Sequence, residues 1–309
     1  MTGPARHLAL VGPTASGKSA LALEVARHLD DVELVSVDSM QVYRRMDIGT
    51  AKPTPAERAE VPHHLLDLVE PWEAFSVARF QAAAREAVAD IERRGHRALL
   101  VGGTGLYLQA VVDGLAVPGE WPAVRAELEA VATTPVGAAG LHRRLAELDP
   151  AAAARMEPTN GRRIVRALEV TVGSGRPFSS FGPGLDAYPS TAFRLAGLSV
   201  EREVLDERIA RRLDSQLEAG FVDEVRGLMS AGEPLSRTAG QALGYRELLA
   251  HLDGRCGLDE AVVETARRTR AFARRQRAWF RRDPRITWFA VEANPLAVLP
   301  ALLGHWTDR

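Results

Sequence analysis

The stretch GPTASGKS, residues 12–19, has the spacing of a phosphate-binding loop, G-x-x-x-x-G-K-[ST]. An apolar run precedes it and apolar residues at helical spacing follow it, which predicts strand, loop and helix and argues against a chance glycine-rich turn. Backbone N–H groups at a helix start bind anions, a lysine adds charge for a terminal phosphate, and a serine hydroxyl suits Mg²⁺. We therefore predict a phosphate site, with Ser19 as the magnesium ligand, formed by Gly12, Pro13, Thr14, Ala15, Ser16, Gly17, Lys18 and Ser19.

Asp38 and Thr104 each follow a further apolar run, residues 33–37 and 98–101, at the point where a predicted strand ends. The carboxyl ends of parallel strands share one edge of a sheet, where open α/β proteins bind ligands. Asp38 can act there as a magnesium ligand or a general base, and capping a turn is the alternative. Thr104 lies in the loop GGTG, whose hydroxyl can donate to a phosphate oxygen, and a plain strand-to-helix turn is the alternative.

Two groups of arginines lie on predicted helices. Arg208 and Arg212 are four residues apart, so they share one helix face and can clamp a diphosphate. Ordinary surface ion pairing explains this spacing at least as well. For the second group the pattern alone favours a solvated surface; its members are Arg162, Arg163 and Arg166.

The segment 267–285 is strongly basic, with nine arginines against one aspartate, a net charge of +8. The whole chain has a net charge of −1, which argues against a purely electrostatic nucleic-acid binder. A local patch of this density nevertheless exceeds what solubility needs, so we favour contact with nucleic-acid phosphate. Trp279 and Phe280 in the same segment are expected to be core residues rather than base-stacking ones.

Strands alternating with helices in the first 120 residues predict a parallel sheet. Strand signals are absent from residue 121 to about residue 176, and two strands, 193–200 and 286–290, follow. We predict an α/β fold, a P-loop NTPase-like parallel sheet core flanked by helices, with an inserted helical domain. Residues 1–120 form the first part of the core, 121–189 the helical insertion, and 190–309 the return to the core with a basic C-terminal helix.

The composition is that of an ordinary folded protein of 309 residues, 46% hydrophobic and 26% charged. Its polar N-terminus leads into an apolar run far shorter than the roughly 20 residues of a membrane span, so no export signal and no membrane anchor are expected. The single cysteine, Cys256, excludes an internal disulfide and a cysteine-rich metal site. We expect a cytoplasmic monomer.

Taken together, the motifs resemble the tRNA dimethylallyltransferase (isopentenyl-tRNA transferase) family over nearly the whole chain. A generic P-loop kinase would share only the first of them. One departure is Arg45, where many relatives have glycine. The matching stretches are GPTASGKS (12–19), SVDSMQVYRRMDIGTAKP (36–53), HHLLD (63–67), LLVGGTGLYLQA (99–110), RRIVRALEV (162–170), RIARRLDSQLEAGFVDEV (208–225), QALGYRE (241–247) and RRTRAFARRQRAWF (267–280).

The resemblance implies a prenyl transferase that moves a dimethylallyl group from dimethylallyl diphosphate to N6 of the adenosine 3′ of the anticodon in tRNA, releasing diphosphate. It implies that Asp38 is the general base and that Thr104 donates to the diphosphate oxygens. Charge on the departing diphosphate would be neutralised by Lys18, by Ser19 with Mg²⁺, and by an arginine at 208 or 212.

The resemblance also implies contacts with the tRNA anticodon stem-loop. On this basis we expect the arginines at 162–166 to contact tRNA and not merely to form a solvated surface. A nucleotide-dependent small-molecule kinase, using an ATP-binding-like P-loop and the same arginines as a lid, is the alternative. A non-catalytic P-loop switch is disfavoured, because no guanine-reading motif follows the loop. The residues expected to contact tRNA are Asp38, Ser39, Met40, Gln41, Thr104, Arg125, Arg162, Arg163, Arg166, Gln241, Gly244, Tyr245 and Arg246.

Overall fold

A computed structural model of the chain describes residues 7–134, 137–182 and 184–307. Its strands are β1 (His7–Val11), β2 (Val32–Val37), β3 (His63–His64), β4 (Arg97–Gly102), β5 (Phe193–Val200) and β6 (Thr287–Val291). Its helices are α1 (Lys18–His28), α2 (Pro55–Glu60), α3 (Val77–Arg93), α4 (Gly105–Val112), α5 (Pro122–Ala132), α6 (Gly137–Leu148), α7 (Pro150–Ala153), α8 (Gly161–Ser174), α9 (Arg202–Glu218), α10 (Phe221–Met229), α11 (Tyr245–Leu252), α12 (Leu258–Phe280) and α13 (Leu299–Thr307).

The six strands form one parallel sheet in the order β3-β2-β4-β1-β5-β6. The predicted α/β fold with a parallel sheet core is therefore confirmed. β1 lies between β4 and β5, so the loop after β1 opens at the middle of the carboxyl edge, where ligands bind in such sheets. The two-residue strand β3 was not predicted, because it is too short to show an alternating pattern.

Both faces of the sheet are covered, and for this reason β1 is buried along its whole length. Ala9 and Val11 join one apolar cluster with α3, whereas Leu8 and Leu10 join the other with α1. This two-sided burial holds the ends of the central strands in place. The loops that follow these strands therefore begin at fixed positions.

The described residues divide into two compact units: residues 114–187, and the rest of the chain on either side of them. The unit 114–187 contains α5, α6, α7 and α8 around its own apolar cluster, which includes Leu128, Leu145, Ile164 and Leu168. Its helices all fall within the segment 121–189 assigned to the insertion from sequence. Within the described ranges, no helix is both long and apolar enough to cross a bilayer.

Candidate active site

The loop between β1 and α1 is tightly wound. Ala15 and Gly17 both have left-handed backbone conformations, with φ of 61° and 91°, and the N–H of Ser16 donates to the Pro13 carbonyl at 3.3 Å. Successive residues that alternate between right-handed and left-handed backbone conformations form anion-binding nests. A side chain at position 17 would lie 2.4 Å from Pro295, so glycine is required there for space as well as for conformation.

The Asp38 and Thr104 loops are hydrogen-bonded to each other. The N–H of Thr104 donates to the Val37 carbonyl at 3.3 Å, and its Oγ1 accepts from the N–H of Ser39 at 3.1 Å. Oδ1 of Asp38 accepts from the N–H of Met40 at 2.8 Å, which is the turn-capping contact considered from sequence. Asp38 also borders the cavity described below, so the same carboxylate is both braced by its turn and presented to a ligand.

Lys18 is a partly buried cation at the start of α1. Its Nζ donates to the Pro13 carbonyl at 3.3 Å. Its pKa is lowered from 10.5 to about 8, mainly by burial; the attraction of Asp38 opposes this shift and the repulsion of Arg212 adds to it. Burial likewise lowers the pKa of Arg212, again against the attraction of Asp38. Two desolvated cations near one carboxylate leave a net positive site that a bound anion would stabilise.

Arg208 and Arg212 have different partners although they lie one turn apart on α9. Arg212 donates to the hydroxyl of Thr14 in the phosphate loop at 3.4 Å. Arg208 donates to three backbone carbonyls, those of Ser16 (3.4 Å), Glu292 (2.5 Å) and Ala293 (3.0 Å). Arg208 therefore ties the phosphate loop to the segment after β6, whereas Arg212 directs its charge at the loop itself.

A cavity of about 640 Å³ opens at the carboxyl ends of β1, β2 and β4. This volume is within the range of ordinary ligand pockets. It brings together fourteen of the residues predicted from sequence: Thr14, Ala15, Gly17, Lys18, Ser19, Asp38, Ser39, Met40, Gln41, Thr104, Arg208, Arg212, Gln241 and Tyr245. The other predicted residues of this unit lie outside its lining: Gly12, Pro13, Ser16, Gly244 and Arg246.

The remaining predicted arginines belong to the unit 114–187. Nη1 of Arg166 lies 3.0 Å from the fully buried carboxylate of Glu169, and Nε of Arg125 lies 3.8 Å from the same group. Arg162 and Arg163, on α8, are exposed to solvent. Within this unit Arg125 and Arg166 therefore compensate a buried charge, and Arg162 and Arg163 present theirs outward.

One wall of the cavity depends on residues that sequence reasoning missed. Glu224 accepts from the N–H groups of Asp47 (2.8 Å), Ile48 (2.7 Å) and Gly49 (3.1 Å). Gln216 donates to the carbonyls of the last two, at 2.7 Å and 3.0 Å. These contacts hold the turn of the DIGT stretch against α9 and α10. No local pattern signals them, because their partners are backbone groups about 170 residues away.

The arginine-rich helix α12 contributes to the same cavity through Arg268 and Arg275. Phe280 is buried, and Trp279 lies so close to Gly105 that a side chain there would be 2.2 Å from the indole. Both aromatic residues are thus packed against the core, as expected from sequence. Arg285 pairs with Asp113 at 2.6 Å, so the charge of its guanidinium is compensated within the protein.

Two family models and several known proteins match the chain. The family described as IPP transferase matches residues 41–283, and the one described as isopentenyl transferase matches residues 6–67. A tRNA dimethylallyltransferase of Geobacter metallireducens is 49% identical, covering 97% of this chain and 97% of the relative. One of Streptomyces avermitilis is 51% identical, covering 98% of this chain and 96% of the relative.

Solved structures that resemble the chain are transferases of the same kind. A tRNA isopentenylpyrophosphate transferase from Bacillus halodurans matches with a TM-score of 0.69 at 39% identity, covering 98% of this chain and 97% of that one. A eukaryotic dimethylallyltransferase, studied while acting on tRNA, matches with a TM-score of 0.76 at 27% identity, covering 92% and 73%. The first family model spans more than half of the chain, and the sequence relatives match it over nearly its full length. These matches confirm the resemblance seen in the motifs, and the chain belongs to the tRNA dimethylallyltransferase family.

Proposed function

We propose that the protein transfers a dimethylallyl group from dimethylallyl diphosphate to N6 of the adenosine 3′ of the anticodon in tRNA. The observation that carries the proposal is the single cavity in which the phosphate loop, Lys18, Arg212, Asp38 and Thr104 face one another. An anion site beside a carboxylate is what an alkyl transfer from a diphosphate to an amine needs. The leaving group requires positive charge, and the nucleophile requires a proton acceptor.

The diphosphate is assigned to the phosphate loop, because the left-handed turns at Ala15 and Gly17 form an anion nest there. Lys18 and Arg212 neutralise the charge that develops on the diphosphate as the carbon–oxygen bond breaks. The Thr104 hydroxyl, held next to Ser39, donates to the departing oxygens. Arg208 supports this arrangement indirectly, by fixing the backbone of the loop at Ser16.

Asp38 is assigned as the general base. Adenine N6 is a weak nucleophile, so the reaction gains from a carboxylate that accepts a hydrogen bond from the amine and then its proton. The Met40 N–H fixes the carboxylate in its turn. The adenine must leave the stack of the anticodon loop to reach this carboxylate in the cavity.

A divalent cation fits the donor set. The Ser19 hydroxyl is exposed at the start of α1 and borders the same cavity as the Asp38 carboxylate. Mg²⁺ prefers oxygen ligands and is commonly held by one or two protein oxygens together with phosphate oxygens and water. Ser19 would hold Mg²⁺, and the ion would neutralise charge on the diphosphate.

We assign the tRNA anticodon stem-loop to two sets of arginines, those of α12 at the cavity and those exposed on α8. Arg162 and Arg163 are the simplest phosphate contacts, because they face solvent in their own unit. On this proposal residues 121–189 are a tRNA-contacting insertion, and the protein works in the cytoplasm, where its substrate is found. Membership of a family whose relatives are named tRNA transferases does not favour the kinase alternative.

The test is to incubate the purified protein with dimethylallyl diphosphate, Mg²⁺ and unmodified tRNA, and to analyse the tRNA nucleosides by mass spectrometry. We expect an adenosine that has gained one dimethylallyl group, located to the position 3′ of the anticodon by nuclease mapping. A Lys18→Met variant is the matched control. Phosphate transfer from ATP, with no modified nucleoside, would refute the proposal in favour of the kinase.

A further inference from the structure

Gln276, within the stretch 267–280 quoted above, is a buried polar side chain at the cavity to which the proposed chemistry gives no role. It lies on α12 and is 6% exposed. Its Oε1 accepts from the N–H of Thr14 at 2.9 Å, and its Nε2 donates to the carbonyl of Gly103 at 2.8 Å. A buried amide with both ends bonded is rigid, because breaking either bond leaves an unsatisfied buried group.

The two partners of Gln276 belong to the two loops that carry the diphosphate chemistry. Thr14 is in the phosphate loop, and Gly103 immediately precedes Thr104. β1 and β4 are paired in the sheet, but their ladder ends at Val11 and Gly102, so the sheet no longer fixes the distance between the chains beyond those residues. Gln276 supplies the missing cross-connection just past the last ladder pair.

The Gln276 amide is packed closely against Gly103. A Cβ atom at Gly103 would lie 2.2 Å from Nε2 of Gln276 and 3.3 Å from the Gly12 carbonyl. An amide is also the side-chain group that offers an acceptor and a donor at this spacing without charge. A carboxylate would turn its second oxygen toward the Gly103 carbonyl, and an aliphatic side chain would leave both backbone groups unpaired.

We propose that Gln276 is a positioning residue for prenyl transfer: it sets the separation between the phosphate loop and the Thr104 loop. The diphosphate held by one loop therefore meets the donor hydroxyl on the other. The inference rests on the proposed function. Displacing a reacting group by about 1 Å costs up to about 10²-fold in rate, so loss of this bridge acts mainly on kcat.

The experiment compares Gln276→Met and Gln276→Glu with wild-type protein in single-turnover prenyl transfer at saturating donor and tRNA. We expect both variants to lose about 10- to 100-fold in rate at pH 8.5 with tRNA affinity unchanged. When protonated, the introduced carboxyl group has both an acceptor and a donor, as the amide does. Burial and the Gly103 carbonyl raise its pKa, opposed by the nearby cations Lys18, Arg212 and Arg275.

The rate of Gln276→Glu relative to wild type should therefore rise about tenfold or more as the pH falls from 8.5 to 5.5, while that of Gln276→Met stays constant. Taking the ratio at each pH removes the pH dependence that the variants share with wild type. Gln81→Met is the matched control. Gln81 is a glutamine of equal exposure, 6%, bonded to the Ala110 carbonyl and absent from the cavity lining.

Gln81→Met should lower the melting temperature without lowering the rate. The inference is overturned if Gln276→Met keeps the wild-type rate while losing stability, because the bridge is then only structural. It is also overturned if Gln276→Glu keeps the wild-type rate at pH 8.5, where an ionised carboxylate cannot donate to the Gly103 carbonyl. Failure of the proposed function gives a different result, since wild-type protein then forms no prenylated nucleoside at any pH.

Discussion

Raising the pH through 8 is expected to weaken diphosphate binding, because Lys18 loses its proton in that range. Burial, aided by Arg212, lowers the pKa of Lys18 to about 8 against the attraction of Asp38. The charged form binds the diphosphate and the neutral form does not neutralise it. The free protein is therefore competent below pH 8 and becomes progressively less so above it, and bound diphosphate should itself raise the pKa of Lys18.

The size of the effect follows from the fraction of charged Lys18. With a pKa of about 8, that fraction falls from about nine-tenths at pH 7 to about one-tenth at pH 9, so the dissociation constant rises about tenfold, or about 1.4 kcal/mol. Above pH 9 the dissociation constant continues to rise until it reaches that of the form with neutral Lys18. The last ionisation of a phosphate has a pKa of about 6, so the charge of the donor changes little above pH 7 and the change in affinity belongs to the protein.

Calorimetric titration with a non-reactive thiolo analogue of dimethylallyl diphosphate, at constant Mg²⁺, measures the dissociation constant from pH 7 to pH 9.5. Lys18→Arg keeps its charge over the whole range and should show a flat profile. Lys18→Met should bind weakly at every pH. A wild-type profile as flat as that of Lys18→Arg would show that the lowered pKa, or the contact with diphosphate, has been assigned wrongly.

The other predictions concern single contacts. Asp38→Asn should slow single-turnover transfer about 10²- to 10⁴-fold at saturating substrates and should not recover in excess Mg²⁺; recovery would make Asp38 a metal ligand. Arg212→Met should weaken donor binding in calorimetry with little change in melting temperature. Arg208→Met should do the reverse, because it leaves three backbone carbonyls without their donor, and equal effects of the two would contradict the assignment. Replacing Arg162 and Arg163 together by Gln should weaken tRNA binding and lower its salt slope by about two units, whereas an unchanged slope would mark a merely solvated surface.

Most of the fold could be predicted because its strands are long, apolar and separated by loop signals. The strand predicted at residues 193–200 has those bounds in the structure. The convergence of Lys18, Asp38 and Thr104 also followed from the sequence, since loops after parallel strands meet at one edge.

The contacts that brace the site could not be predicted in the same way. Gln276 and Glu224 each bind backbone groups more than 170 residues away, so no spacing in the sequence relates them to their partners. The i,i+4 relation between Arg208 and Arg212 predicted that they share a helix face, but not that they have different hydrogen-bond partners. The difference depends on the carbonyls of residues 292 and 293, which lie near Arg208 only in the folded chain.

Arg45 shows how a departure from the family pattern is accommodated. Its φ is 61°, in the left-handed region where glycine is favoured, which gives a physical reason for the glycine that the resemblance leads us to expect there. The arginine side chain offsets this conformation with two contacts. It pairs with Glu70 at 2.8 Å and stacks over Trp72, with its guanidinium carbon 4.5 Å from the ring centre.

The contact between Gly17 and Pro295 has a consequence for biosynthesis. The phosphate loop lies near the start of the chain, yet it is packed by Pro295 and tethered through Arg208 to the carbonyls of residues 292 and 293. During translation the GPTASGKS segment leaves the ribosome long before those residues are made. The nascent chain therefore has the motif but not its finished shape, and tight capture of the donor begins only when the last strand has joined the sheet.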